Sequence, residues 1–143
     1  MNHRVASVFR PHEPGLKKVL GELEAEVMEV AWAMGEVTVG DVHRALRRER
    51  EGAYTTVKTI MVRLAEKGHL VRATEDRAHR YRPRQTREQF LKTVGQEVLR
   101  GLFVGFGEPV MAHLIDAVRE LDAQKLDRLQ ARIEECRRKG TGR

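Results

Sequence analysis

Residues 53–68 read AYTTVKTIMVRLAEKG, and the two faces of this stretch ask for different surroundings. Val57, Ile60, Met61, Leu64 and Ala65 recur at i, i+3, i+4, i+7 and i+8, which predicts a helix that ends at Gly68 after Lys67. With Val57 at zero and about 100° per residue, Thr55, Thr59 and Val62 point away from the core. Lys58 lies on one flank of that set, and Thr56 and Arg63 on the other. A water-facing helix gains nothing from β-branched threonine, a mediocre helix former, and would carry Glu/Lys pairs there. Threonine hydroxyls can instead meet phosphates and base edges, threonine and valine methyls can touch thymine methyls, and arginine can bind guanine O6/N7 bidentately. The face therefore predicts a helix seated in a nucleic-acid groove. The competing reading has Thr55 or Thr56 capping the helix and the rest facing solvent.

The flanking sequence supplies the frame for such a helix. Leu20, Leu23, Val27, Val30, Ala31 and Met34 repeat at helical spacing, with glutamates early in the run, and predict a first helix over 21–34 stopped by Gly35. Val37 suits a short strand. Thr38 with Asp41 three residues on is a capping-box pattern that opens a second helix through Val42, Ala45 and Leu46, fading in RRERE. After Gly68 the period of HLVRATEDRAHRYRP becomes strand-like, with Glu75, Asp76 and Arg77 as a polar tip, so a β-hairpin is predicted. Three helices and a hairpin within about 60 residues, the last helix and hairpin both basic, make a winged helix-turn-helix.

Beyond Pro83 the pattern is helical again. Thr86 and Gln89 form a second capping-box signature before Phe90, Leu91, Val94, Val98, Leu99 and Leu102. The glycines and Pro109 of GLFVGFGEP predict a break between helices. Further apolar faces follow at Val110, Met111, Leu114, Ile115, Val118 and Leu121, and then at Leu126, Leu129, Ile133 and Cys136. Two chains burying each other's helices would satisfy these faces, with Leu99, Leu102, Leu114, Leu126, Leu129 and Ile133 at the dimer contact. Packing onto the winged helix of the same chain is the alternative. The predicted fold class is mainly α with a small β-hairpin wing. Its layout is a flexible basic N-terminal tail over 1–18, a winged-helix domain over 19–84 and a helical dimerisation domain over 85–143. The tail holds Pro11 and Pro14 and lacks periodicity, although an arm of this kind can also reach a minor groove.

Composition limits the function. The 143 residues allow one ordinary core with an extension, and the net charge of +6 is unevenly placed: +5 falls within 53–84 against −4 over 21–52. A concentrated basic segment is the electrostatic footprint of a phosphate-binding face. Cys136 is the single cysteine, so no intramolecular disulfide or cysteine cluster is available, and its spacing from Leu129 and Ile133 suggests a small core residue. The six histidines show no HxxxH or HExxH spacing, and no GxGxxG, P-loop or GxSxG occurs. No metal, no cofactor and no enzymatic activity are expected. Trp32 and Tyr54 are expected in the core where helices one and three meet, and His43 beside phosphates or partly buried. With no signal-peptide run and no stretch read as a membrane span, a cytoplasmic protein without membrane contact is expected.

GELEAEVMEVAW, VTVGDVHRAL, AYTTVKTIMVRLAEKG and DRAHRYRP, in this order and spacing, resemble the BlaI/MecI family of penicillinase repressors. The resemblance is close over about residues 19–84 and extends to the tail only as helical character. It implies a homodimeric winged-helix repressor whose third helix enters the major groove of an inverted-repeat operator in double-stranded DNA. By that resemblance Thr55, Thr56, Lys58, Thr59 and Arg63 fall at DNA-contact positions, and Arg77, His79 and Arg80 fall on the wing. The cleavable bond of β-lactam-responsive members does not map onto LRGLFVGFGEP, and the cysteine cluster of copper-responsive relatives is not present, so the inducer is not implied. From the residues alone, a winged helix with only nonspecific DNA affinity, used as an architectural or protein-interaction module, is the other function open.

Overall fold

A computed structural model of the protein describes residues 8–47, 53–73 and 79–140. Among them α1 spans Glu22–Met34, α2 Val39–Arg47, α3 Tyr54–Glu66, α4 Arg87–Val118 and α5 Ala123–Gly140, with β1 at Leu70–Arg72 and β2 at Tyr81–Pro83. The chain divides into two compact units, Met1–Leu99 and Arg100–Arg143.

In the first unit, α1, α2 and α3 pack around Val27, Met28, Ala31, Val42, Val57, Met61 and Leu64, all buried. Apart from Met28, these residues belong to the helical stripes expected from the sequence, while Met34 at the end of α1 is 54% exposed. Local chemistry fixes the helix starts. The Thr38 amide donates to Asp41 Oδ2 at 2.9 Å and the Asp41 amide to Thr38 Oγ1 at 3.1 Å, a reciprocal capping box. Thr86 and Gln89 repeat it at α4, with bonds of 3.0 and 3.1 Å. At the other end of α3, Gly68 takes φ +79°, a left-handed conformation that suits glycine, while the His69 amide bonds to the Leu64 carbonyl. β1 and β2 pair antiparallel, with Leu70 opposite Pro83, Val71 opposite Arg82 and Arg72 opposite Tyr81. Val37 adds a single bridge to Tyr81, an isolated bridge where a short strand was expected. Buried Leu70 and Tyr81 turn this small sheet toward the helices.

Several expectations are corrected. The tail expected to be flexible through residue 18 is ordered at its inner end: Gly15–Lys18 forms a 3₁₀ turn and Leu16 joins the core. Residues 1–7 lie outside the described part. The winged-helix unit runs past 84, because Phe90 on the first turns of α4 is 2% exposed and packs against Trp32 and His69, with ring centroids 5.3 and 5.4 Å away. Trp32 is partly buried, packed against the core and against Phe90 of α4, whereas Tyr54 is 50% exposed rather than in the core.

The second unit holds the rest of α4 and α5. The break expected at GLFVGFGEP appears as a kink inside α4, where Phe106 leaves helical geometry at φ −132°, ψ 29°. Pro109 explains it: a proline has no N–H to donate, and its ring crowds the carbonyl four residues back, that of Gly105. Leu99, Leu102, Leu114, Leu126, Leu129 and Ile133 are between 36% and 51% exposed in the single chain, and Cys136 is also exposed, against the expectation of a core position. The expectation that no stretch approaches a membrane span is also corrected. An 18-residue window of α4 reaches a mean hydropathy of 1.3, and none of it is buried, so length and composition alone would let it cross. Glu108 and Asp116 interrupt the same apolar run, and a carboxylate at a bilayer centre costs about 2.5–3.5 kcal/mol.

Candidate nucleic-acid interface

The buried stripe of α3 fixes the direction of every other side chain on it. Val57, Met61 and Leu64 face inward, which leaves Thr55, Thr56, Lys58, Thr59, Val62 and Arg63 exposed as one continuous surface. All five α3 residues assigned to DNA contact stand on it. The N-cap is Ala53, which makes no side-chain capping bond, and neither Thr55 nor Thr56 caps the helix. Thr59 Oγ1 donates to the Thr55 carbonyl at 2.9 Å, leaving its oxygen able to accept.

Ion pairs hold several cations of the first unit. Lys17 pairs with Glu22 at 3.1 Å, Arg44 with Asp41 at 2.6 Å, Lys67 with Glu24 at 2.7 Å and Arg87 with Glu29 at 3.1 Å. Lys58 and Arg63 make no ion pair with any described residue. Two unneutralised cations flank short threonines, so a groove wall of phosphates could be met without first breaking an internal pair.

Lys67 belongs to the fold instead. One Glu24 oxygen accepts from the Gly21 amide at 3.2 Å and caps α1, while the other accepts from Lys67 Nζ, tying the end of α3 to the start of α1. Burial alone would raise the Glu24 pKa, but the Lys67 hydrogen bond, the Gly21 amide and the charges of Lys67 and His69 together bring it below its ordinary value. Asp41 is likewise held low, by the Thr38 amide first, then the Thr38 hydroxyl and Arg44.

On the wing, Arg77 lies outside the described residues. His79 and Arg80 are exposed where the chain returns, and the Ala73 amide bonds to the Arg80 carbonyl at 2.8 Å across the hairpin. His79 sits at φ +49°, an uncommon conformation for a residue with a side chain, and its ring nitrogens contact the Arg72 guanidinium. Arg72, Arg82 and Arg84 are exposed as well. They add positive surface that the motif pattern did not single out, although the alternation of Arg80, Arg82 and Arg84 in RYRPR was a readable signal.

Two more residues frame the start of α3. Tyr54, its first residue, stands edge-on to His43 of α2, with ring centroids 5.7 Å apart and planes at 75°. His43 is partly buried, one of the two positions expected for it. Tyr54 lies at the very end of the periodic run, where helical spacing says least about burial.

Comparison with known proteins identifies the family of the chain. The chain matches the family described as Penicillinase repressor over residues 20–135. It is 36% identical over 117 residues to "Transcriptional regulator BlaI" of Mycobacterium tuberculosis, covering 80% of this chain and 85% of that protein. Its identity to "Penicillinase repressor" of Bacillus licheniformis is 22% over 122 residues, covering 84% and 94% of the two chains. A solved structure, the solution structure of the DNA binding domain of the repressor BlaI, aligns at 28% identity with a TM-score of 0.43, over 48% of this chain and 83% of that one.

Proposed function

The chain belongs to the penicillinase repressor family, DNA-binding transcriptional regulators rather than enzymes, and we propose that it represses as a homodimer with α3 in the major groove of an inverted-repeat operator. The observation that carries this reading is the exposed outer face of α3, where Lys58 and Arg63, with no ion pair to any described residue, stand beside Thr55, Thr56 and Thr59. Arg63 is the candidate for bidentate base reading, Lys58 for a phosphate, and the threonines for phosphate and thymine-methyl contact. Arg77, His79 and Arg80 would serve the flanking backbone or minor groove.

The exposed apolar faces of α4 and α5 support dimerisation. Leu99, Leu102, Leu114, Leu126, Leu129 and Ile133 would be covered by a second copy, which also accounts for the apolar content of α4 without a membrane. Two half-sites held by one dimer raise apparent affinity through effective concentration. Such a repressor acts where the chromosome is, in the cytoplasm.

Selection from a random duplex pool with the full-length protein, followed by footprinting upstream of its own gene, tests this reading. The expected product is an inverted repeat preferred by ~10³-fold or more over random duplex at fixed salt. Recovery of no consensus, with equal binding to all duplexes, would leave only the architectural reading.

A further inference from the structure

Tyr54 is the one aromatic residue of α3, and it is exposed yet has no place in the base-reading set. It is half exposed, it opens the helix, and its hydroxyl makes no hydrogen bond with any described residue. Its ring is nevertheless held: the edge-on contact with His43 spans from α3 to α2. An amphipathic side chain with its body braced and its polar tip wet is the arrangement that serves a polar partner at an interface.

The helix-turn-helix frame says which partner. In this motif the helix before the recognition helix crosses the sugar-phosphate backbone, while the recognition helix enters the groove from its N-terminal end. A tyrosine at that N-terminus, leaning on the preceding helix, stands at the groove wall where the backbone passes. The first turn of α3 also lacks any side-chain cap, so the positive end of its dipole faces the same place. Asp41, the acidic residue of α2, is bonded to Thr38 and Arg44.

We infer that Tyr54, braced by His43, donates its hydroxyl to a phosphate of the DNA backbone at the edge of the major groove, a contact that adds affinity without reading sequence. The inference rests on the proposed seating of α3 in the groove. The braced ring sets the direction of the hydroxyl before DNA arrives, so little side-chain freedom is lost on binding.

The test uses full-length Tyr54→Phe, which keeps the ring and its contact with His43 and removes only the hydroxyl. Against a duplex selected by the wild-type chain and against random duplex, Tyr54→Phe should weaken both by about ten-fold, as expected for losing one hydrogen bond to a charged group. The operator-to-random ratio should stay unchanged, because phosphates carry no sequence information. Unaltered binding to both duplexes overturns the contact, and a changed preference at one base pair overturns its assignment to phosphate. Arg63→Ala measured alongside separates the two levels. If Arg63→Ala abolishes preference while Tyr54→Phe changes nothing, only the Tyr54 contact fails; if neither has an effect, the seating of α3 fails with it. Circular dichroism of Tyr54→Phe, expected to match wild type, confirms that the comparison is between folded proteins.

Discussion

The indole N–H of Trp32 donates to the carbonyl of Gln85 at 2.9 Å, joining α1 to the turn before α4 across 53 positions of sequence. Phe90, one turn further on, then lies against the same indole and against His69, and Arg87 reaches Glu29 at 3.1 Å. The beginning of α4 is thus part of the winged-helix core. Phe90→Ala should destabilise the first unit by about 3–5 kcal/mol, the usual cost of emptying a buried aromatic site. Thermal or urea unfolding followed by circular dichroism would measure it, and a loss below about 1 kcal/mol would mean Phe90 is not a core residue.

The same contact decides where the chain can be cut. A fragment ending at Leu99 keeps Gln85 and Phe90 and should fold as a monomer, whereas one ending at Arg84 loses both and should be much less stable. If α4 and α5 make the dimer, the Leu99 fragment should bind the full operator ~10²–10⁴-fold more weakly and without cooperation between half-sites. Sedimentation and gel-shift titration report both properties. A dimeric Leu99 fragment would assign dimerisation elsewhere.

Arg63 and Lys67, one helical turn apart, should behave differently. Arg63→Ala should cost ~1–3 kcal/mol at the operator and flatten preference at one base position. Lys67→Ala should leave DNA binding nearly as it is and lower stability by about 0.2–1 kcal/mol, since Lys67 is paired with Glu24 at the surface. Equal losses of DNA affinity in the two variants would contradict the division between an unpaired reading face and a paired structural lysine.

Arg77 and Arg80 are the wing cations assigned to the DNA backbone. Replacing both with alanine should reduce the slope of log K against log salt by about 2. The titration needs only random duplex over a range of salt concentrations. A slope equal to wild type would turn the wing away from DNA.

Acid should expose the two capping carboxylates. Glu24 and Asp41 are held below their ordinary values of 4.5 and 3.8, so each stabilises the folded state fully above that value and ceases to as pH falls through its lowered one. Stability should therefore decline below about pH 4.5, and Glu24→Gln with Asp41→Asn should be less stable at pH 7 but flatter in acid. Each substitution should cost roughly 0.5–1 kcal/mol at neutral pH, kept small by solvent screening. Urea midpoints from pH 7 to pH 3 follow the effect, and parallel curves for wild type and the double variant would remove these two groups as its cause.

The parts whose physics is local were legible in the sequence. The stripe from Val57 to Leu64 fixed the inner face of α3 and thereby its outer one. Thr38 with Asp41 and Thr86 with Gln89 marked helix starts, because a cap needs only residues three apart. The change of period after Gly68 announced the hairpin, and Pro109 announced a break whose outcome, a kink at Phe106, depended on the helix continuing on both sides. Tertiary structure alone decided that Phe90 belongs to the first unit, that Leu16 closes its core, that Tyr54 stays outside, and that Lys67 is taken by Glu24 while Lys58 and Arg63 are not. Each of these depends on which surfaces meet across tens of residues. Periodicity tells which side chains leave water, but the partner that receives them is chosen by packing in three dimensions.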